Sequence, residues 1–267
     1  MNLQFFKYQG AGNDFIIIDN RKNTFSPQPN VINKLCNRHF GIGADGLILL
    51  EINSEIPFMR YFNSDGNEAT MCGNGGRCFA AFTKHLGICN GDSIKFMGID
   101  GEHIALFNPD GNIKLKMIDV KKIELIDDNY FLDTGSPHYV QFVRDIETVD
   151  VDREGKLIRK TVNFNNGGTN VNFVQEIKPG EIKIRTYERG VEAETLACGT
   201  GATAAAIAYS HYFEIEKNPI DVKAIGGNLK IYFERGNERF ENVWLEGPAK
   251  KVFEGIIDID SYGKDTI

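Results

Sequence analysis

Glu68-Ala69-Thr70-Met71-Cys72-Gly73-Asn74-Gly75 and Glu194-Thr195-Leu196-Ala197-Cys198-Gly199-Thr200-Gly201 are two versions of one pattern: a Glu stands four residues before a Cys, and Gly-x-Gly follows the Cys. An apolar, alanine-bearing stretch comes next in both, at 77–86 and 202–212. Glycines that open a helical run leave backbone N–H groups uncovered, and such a helix N-terminus binds anions and eases the deprotonation of a thiol. Each half of the chain is therefore expected to carry one activated cysteine beside one anion-binding turn. A cysteine among Gly and Ala is ordinarily a small buried hydrophobe. Its recurrence in the same setting 126 positions later is what favours chemistry.

The flanking segments repeat as well. The extended run 58–62 delivers Asn63-Ser64-Asp65-Gly66 to the first cysteine, and 182–187 delivers Glu188-Arg189-Gly190 to the second. Arg60 precedes Cys72 by 12 residues and Arg185 precedes Cys198 by 13, so the second copy carries one insertion. After the first helix, strands at 104–107 and 113–117 pair across Asn108-Pro109-Asp110-Gly111, a strong hairpin signal; strands at 229–233 and 243–246 make a second hairpin. Upstream, strands at 5–8 and 15–19 flank the glycine turn 10–14, and those at 139–143 and 171–175 follow turns at 134–138 and 165–170. This is an internal duplication. Each half reads as several mostly antiparallel strands around one largely apolar helix, and Ala204 to Ala208 leave that helix no polar face in the second half, so it must be enclosed. The expected domains are 1–118, completed by a returning strand in 252–267, and 119–251.

Two further segments carry expectations. Ser26-Pro27 is a plausible cap and first helical position for a helix presenting Val31, Ile32, Leu35 and Cys36 on one face, stopped by Gly41. Gly41-Ile42-Gly43-Ala44-Asp45-Gly46 matches G-x-G-x-x-G but follows a helix and precedes a strand, the reverse of the dinucleotide fingerprint, so it reads as a ligand-facing turn.

Composition bounds the partners. A chain of 267 residues with net charge −7 and pI near 5.4 does not suit a general nucleic-acid or anionic-membrane surface. No apolar run approaches the roughly 18 residues of a membrane span, and 1–7 has neither a basic n-region nor a cleavage site. Five cysteines, an odd number, fit free thiols in a reducing cytoplasm. Cys36, Cys78 and Cys89 read as packing. Cys72, Cys78 and His85 lack zinc-ligand spacing, so no metal is expected. Glu68 and Glu194 are expected to complement helix dipoles.

Paired thiols on opposite sides of one carbon suit stereoinversion: one removes a proton and the other supplies one to the opposite face. With each sulfur about 3 to 3.5 Å from the carbon, the pair would repel by about 2 kcal/mol when doubly charged, which leaves one thiolate and one thiol. A substrate carboxylate held by the N–H groups of Gly73, Asn74, Gly199 and Thr200 would gather the carbanion's charge.

Asn13-Asp14-Phe15, Arg60 to Gly66, Met71 to Cys78, Gly135-Ser136-Pro137-His138, Thr169 to Phe173, and Tyr187-Glu188-Arg189-Gly190 through Gly201 together resemble the diaminopimelate epimerase family over nearly the whole chain. The resemblance implies an α/β fold (α+β type) of two pseudo-symmetric domains, each a curved β-sheet wrapped around a central helix. It implies a cofactor-free isomerase that interconverts LL- and meso-diaminopimelate for lysine and peptidoglycan synthesis, usually as a homodimer. Cys198 then resembles the proton acceptor on the LL substrate and Cys72 the donor. Asn13, Asn63, Asn170 and Arg189 resemble substrate-binding positions, with Arg189 on the distal carboxylate. His138 and Glu188 match residues near the reacting amino group, and Ser136 stands where many members have Asn. Some members have a substrate-contacting Gln at the place of Gly46, and the extra residue falls before Cys198. Competing readings are a proline or hydroxyproline racemase, a non-catalytic amino-acid-binding protein, and a thiol oxidoreductase, the last weakened by the lack of C-x-x-C.

Overall fold

In a computed structural model of the protein, the described residues are 2–161, 164, 167–236 and 239–263. Asn165 and Asn166 of the expected turn, and 264–267 of the expected returning segment, lie outside them. Two compact units result, Met1–Leu115 with Ala249–Ile267, and Lys116–Pro248.

In chain order, the first stretch runs β1 (Asn2–Gly10), β2 (Asn13–Asp19), α1 (Pro29–Cys36), β3 (Gly46–Asn53), β4 (Ile56–Asn63), β5 (Glu68–Ala69), α2 (Gly73–His85), β6 (Ser93–Gly98), β7 (Gly101–Phe107) and β8 (Ile113–Lys116). Then follow β9 (Glu124–Ile126), β10 (Asn129–Asp133), β11 (Pro137–Phe142), α3 (Val151–Thr161), β12 (Asn170–Lys178), β13 (Glu181–Glu188), β14 (Ala193–Thr195), α4 (Gly199–Tyr212), β15 (Ile220–Ala224), β16 (Gly227–Arg235) and β17 (Phe240–Gly247). The last strand is β18 (Lys250–Asp258).

The pairings repeat strand for strand. In the first unit β1 and β2 form a hairpin, β3 lies parallel to β2, and β4 runs antiparallel to β3; β10 to β13 do the same in the second. The short β5 folds back on the end of β4, as β14 does on β13. Past the central helix, β6 enters parallel to β4 and continues antiparallel into β7 and β8, and β15 enters beside β13 and continues into β16 and β17. The sheets are thus mixed but mostly antiparallel. β18 returns to pair with β1 along its length, from Asn2↔Asp258 to Gln9↔Lys250, and in the second unit β9 fills the corresponding place beside β10.

The enclosed helices follow from their sequences. α4 is apolar all round, and residues from Gly201 to Ser210 are buried against β10 to β13 and β15 to β17, as a helix without a polar stripe requires. α2 is likewise surrounded by β1 to β4, β7 and β18, with Phe79 and Phe82 fully buried. Ala205 is completely covered, so Ala205→Leu should overpack this contact and destabilise the protein by about 1–3 kcal/mol, read from urea unfolding.

Two boundaries differ from expectation. α1 begins at Pro29, two residues after the expected start at Pro27, because the residue before a proline is held extended: Gln28 has φ −123° and ψ 136°. α3 had no expectation. Only Val151 and Ile158 among its apolar residues turn to the unit, and its Gly155 lets the helix approach Tyr187, whose ring would lie 2.6 Å from a Cβ there.

Candidate active site

Each cysteine is the N-cap of its unit's central helix, in extended conformation: φ −97° and ψ 148° at Cys72, φ −114° and ψ 114° at Cys198. The residues after each cap are the first of the helix, whose N–H groups have no carbonyl of their own helix to reach. Glycine is required beside each sulfur. A Cβ on Gly75 would lie 3.1 Å from Cys72 Sγ, and one on Gly201 would lie 3.3 Å from Cys198 Sγ and 2.5 Å from Asn172 Oδ1.

The short strand before each cysteine is fastened by an arginine. Arg60 on β4 makes two bonds to Glu68, at 2.8 and 3.0 Å, and Arg185 on β13 makes two to Glu194, at 2.6 and 2.7 Å. The repeated spacing of Glu and Cys therefore serves this forked ion pair rather than the helix dipole expected for Glu68 and Glu194. Arg185 also donates to the carbonyls of Ile146 and Val149. Arg185→Met should leave Glu194 and both carbonyls without it and cost about 2 kcal/mol, measured by chemical denaturation. The extra residue of the second copy sits in the turn from β13 to β14, where Glu192 adopts φ 61°.

With Arg60 and Arg185 as the fixed point, the strand registers superpose the two halves. Leu49 opposite Arg60 corresponds to Phe173 opposite Arg185, so Gly46 corresponds to Asn170 and Asn63 to Glu188. The neighbouring parallel strand then matches Phe15 with His138 and, two residues earlier, Asn13 with Ser136. Asn74 and Thr200 each follow a cysteine by two. The expected site residues are thus one set of positions used twice. Gly46 stays bare because a Cβ would lie 2.6 Å from both the Tyr61 ring and the Phe62 carbonyl.

In the first unit, Asn13 Oδ1 lies 4.0 Å from Cys72 Sγ and accepts from Asn74 Nδ2 at 3.2 Å. Asn74 Oδ1 accepts from Arg77 Nη2 at 2.9 Å, and Arg77 Nη1 donates to the Gly73 carbonyl at 3.1 Å. Arg77 is fully buried, and burial lowers its pKa to about 10. At the other end Asn13 Nδ2 donates to Asp45 at 2.6 Å, and Arg38 bridges Asp45 and Asp14. Asp14 titrates near 2: burial opposes its charge, but hydrogen bonds from Arg38 and Lys7 outweigh it. The G-x-G-x-x-G turn makes no phosphate cradle. Its N–H groups from Gly41 to Asp45 donate to the carbonyls of Asn37, Leu35, Cys36 and Asp14, closing the end of α1 and placing Asp45 beside Asn13. Asn63, exposed at the end of β4, stands opposite Gly46.

In the second unit, Cys198 Sγ is 3.4 Å from Thr200 Oγ1. Thr200 Oγ1 lies 2.9 Å from His138 Nε2 and 3.2 Å from Ser136 Oγ, and its backbone carbonyl accepts from Thr134. His138 is fully buried, and burial lowers its pKa to about 3, so the ring is neutral at physiological pH. Asn170 Nδ2 donates to the Pro137 carbonyl at 3.1 Å, and its Oδ1 accepts the Arg189 N–H at 2.9 Å. The Arg189 side chain reaches the Gly168 carbonyl, and Glu188 is half-buried at the end of β13. Asp45, Arg77 and Asn172 lie within motifs noted in the sequence but are given no role there; the register and the hydrogen bonds place them. Among the other thiols, burial pushes Cys36 up to about 12 and Cys78 higher still.

No helix among the described residues is long and apolar enough to cross a membrane. The family model described as diaminopimelate epimerase matches residues 5–123 and 130–252. A protein named diaminopimelate epimerase from Flavobacterium psychrophilum is 49% identical over 257 residues, which cover 96% of this chain and 100% of that one. Among solved structures, a phenazine biosynthesis protein of the PhzF family from Bacillus anthracis superposes with TM-score 0.78 at 14% identity, over 97% of this chain and 99% of that one. A hydroxyproline epimerase from Agrobacterium vitis does so with TM-score 0.69 at 12% identity, over 96% and 92%. These structures share the fold, two repeats of a curved mixed sheet with few helices.

Proposed function

Because the chain belongs to the diaminopimelate epimerase family, we propose that it interconverts LL-2,6-diaminopimelate and the meso form by proton transfer at one α-carbon, with no cofactor. The observation that carries this reading is the duplication of the cysteine as helix N-cap together with its polar neighbours, Asn13 matched with Ser136 and Asn74 with Thr200. A reaction that removes a proton from one face and returns one to the other needs two such acid–base groups.

Cys198, as thiolate, takes the α-proton of the LL substrate; the electron pair left on carbon spreads into the α-carboxylate; Cys72 gives its thiol proton to the opposite face. The cysteines end with charges exchanged, and the reverse reaction uses them in exchanged roles. The N–H groups of Gly73, Asn74, Gly199 and Thr200 hold the carboxylate, where two helix N-termini favour the growing charge. Arg189 takes the distal carboxylate as a fork, Asn13, Asn63 and Asn170 fix the polar ends, and Glu188 accepts from the ammonium. His138 and Ser136 support Thr200. We further place the enzyme in the cytoplasm as a homodimer serving lysine and peptidoglycan synthesis, with the two units as its functional domains.

A proline or hydroxyproline racemase is the second reading, favoured by the shared fold; Arg189 and the asparagines suit a substrate with a second charged end better. The test is proton NMR of LL-diaminopimelate with the protein in heavy water. Loss of the α-proton signal and growth of the meso form are expected. Exchange into proline instead would move the assignment to the racemases, and exchange into neither would leave a binding protein.

A further inference from the structure

Behind Cys198 lies a buried polar string in which His138 and Asn172 stand where the first unit has apolar residues. The registers match His138 with Phe15 and Asn172 with Ile48. His138 and Asn172 are both fully buried, so their hydrogen bonds must be satisfied within the protein, and that fixes the direction of each. Asn172 Nδ2 lies 3.0 Å from the Tyr139 carbonyl, which can only accept, and Asn172 Oδ1 accepts the Thr186 hydroxyl at 3.0 Å. A flipped amide would set two acceptors against each other. The second Nδ2 hydrogen therefore points at His138 Nδ1, 3.1 Å away. Nδ1 must present a lone pair, and the proton of the neutral ring sits on Nε2.

From there the Nε2–H faces two hydroxyl oxygens, Thr200 Oγ1 at 2.9 Å and Ser136 Oγ at 3.0 Å, and the shorter contact takes it. His138 Nε2 donates to Thr200 Oγ1 at 2.9 Å, and Asn170 Nδ2 donates to Ser136 Oγ at 3.3 Å. Ser136 Oγ–H donates to Thr200 Oγ1 at 3.2 Å. With two donors converging on its oxygen, the Thr200 hydroxyl hydrogen is left for Cys198 Sγ at 3.4 Å. Arg189, beyond β13, is the charged group acting on His138, and it too disfavours the imidazolium. Arg185 and Glu194 are bound to each other.

We propose that Asn172 is a positioning residue for Cys198: it fixes His138 as the Nε2–H tautomer, and His138 in turn aims the Thr200 hydroxyl proton at the sulfur, favouring the thiolate. The first unit is built the other way. Arg77 can only donate and Asp45 can only accept, so the amides of Asn74 and Asn13 between them turn Asn13 Oδ1, an acceptor, toward Cys72. The charge of Arg77 and the Gly75 N–H, which donates to Cys72 Sγ at 3.2 Å, act on Cys72 in the opposite sense, and the inference is therefore confined to the second unit. Its catalytic meaning rests on Cys198 being a base, but the relay is measurable without turnover.

The first measurement is nitrogen NMR of the unaltered protein labelled at histidine, with His138 recognised as the ring whose signals stay constant between roughly pH 5 and 8. A protonated Nε2 and bare Nδ1 are expected; the opposite tautomer overturns the proposal. The second follows alkylation of Cys198 by iodoacetamide against pH, read by mass spectrometry of its peptide. Thr200→Val should raise the midpoint by about one pH unit. Asn172→Leu should raise it in the same sense, and the double variant should move no further than Thr200→Val alone. An unmoved midpoint in Asn172→Leu, or summed shifts in the double variant, would mean that Asn172 only packs. If Asn172→Leu does not fold, the tautomer decides. A relay found as described in a protein that exchanges no diaminopimelate proton would sustain this inference and count against the proposed function alone.

Discussion

Cys72→Ala and Cys198→Ala each lower the rate of epimerisation by about a thousandfold or more, the range lost when a positioned acid–base group is removed. The two variants are expected to differ in what survives. A base is needed before any carbanion forms, so Cys198→Ala stops exchange of the LL substrate's α-proton altogether. Without Cys72 the proton can still be removed and returned from the same face, at a rate limited by the missing donor. The measurement is deuterium incorporation into LL-diaminopimelate, followed separately from formation of the meso isomer. Full epimerisation in either variant would sink the paired-thiol mechanism. Both replacements are small and lie at helix caps, and stability should change by no more than about 1 kcal/mol, so a large drop in rate is not an unfolding effect.

The second large effect concerns acid. His138 has an ordinary pKa of about 6.5 in an unfolded chain, and burial lowers it to about 3 in the native state. As pH falls through 6.5 the unfolded chain binds a proton that the native protein refuses, so stability present above that pH is lost on the way down. At about pH 5 the loss from this group is about 2 kcal/mol, a figure set by the unfolded value as long as the native one lies lower. Asp14 contributes in the same direction but further down, between its ordinary value near 3.8 and about 2, and does not overlap this window. Urea unfolding at both pH values should show wild type losing about 2 kcal/mol more than His138→Gln between neutrality and pH 5. Equal losses in the two proteins would mean that the ring is accessible to protons.

Much of this architecture was legible in the residues, because the duplication repeats local signals. The hairpin at Asn108 to Gly111, the apolar run of α4 and the matched cysteine turns each carry their own evidence. The elements left unread are those with weak periodicity. α3 is mostly charged and broken by Gly155, and β9 is three residues long and exposed at Glu124 and Leu125. The candidate site was read from the repeated residue pattern at Cys72 and Cys198, and from the family resemblance at Arg189. It was not legible at Asn172, since an asparagine within a strand gains meaning only from the register that sets it behind His138. Glu68 and Glu194 were visible, but their arginine partners lie on another strand, eight and nine residues earlier, where a helix-dipole argument does not look.

The closure of β1 by β18 also governs when the protein can become itself during synthesis. Leu3 waits for Ile257, a delay of roughly 10–50 s at ordinary translation speeds, and throughout that time one edge of β1 stays open to whatever else could pair with it. The second unit has no such wait, because β9 and β10 are neighbours in the chain. The half that is translated later is therefore the half able to finish folding first, and the earlier half is the one a ribosome-bound chaperone would need to guard.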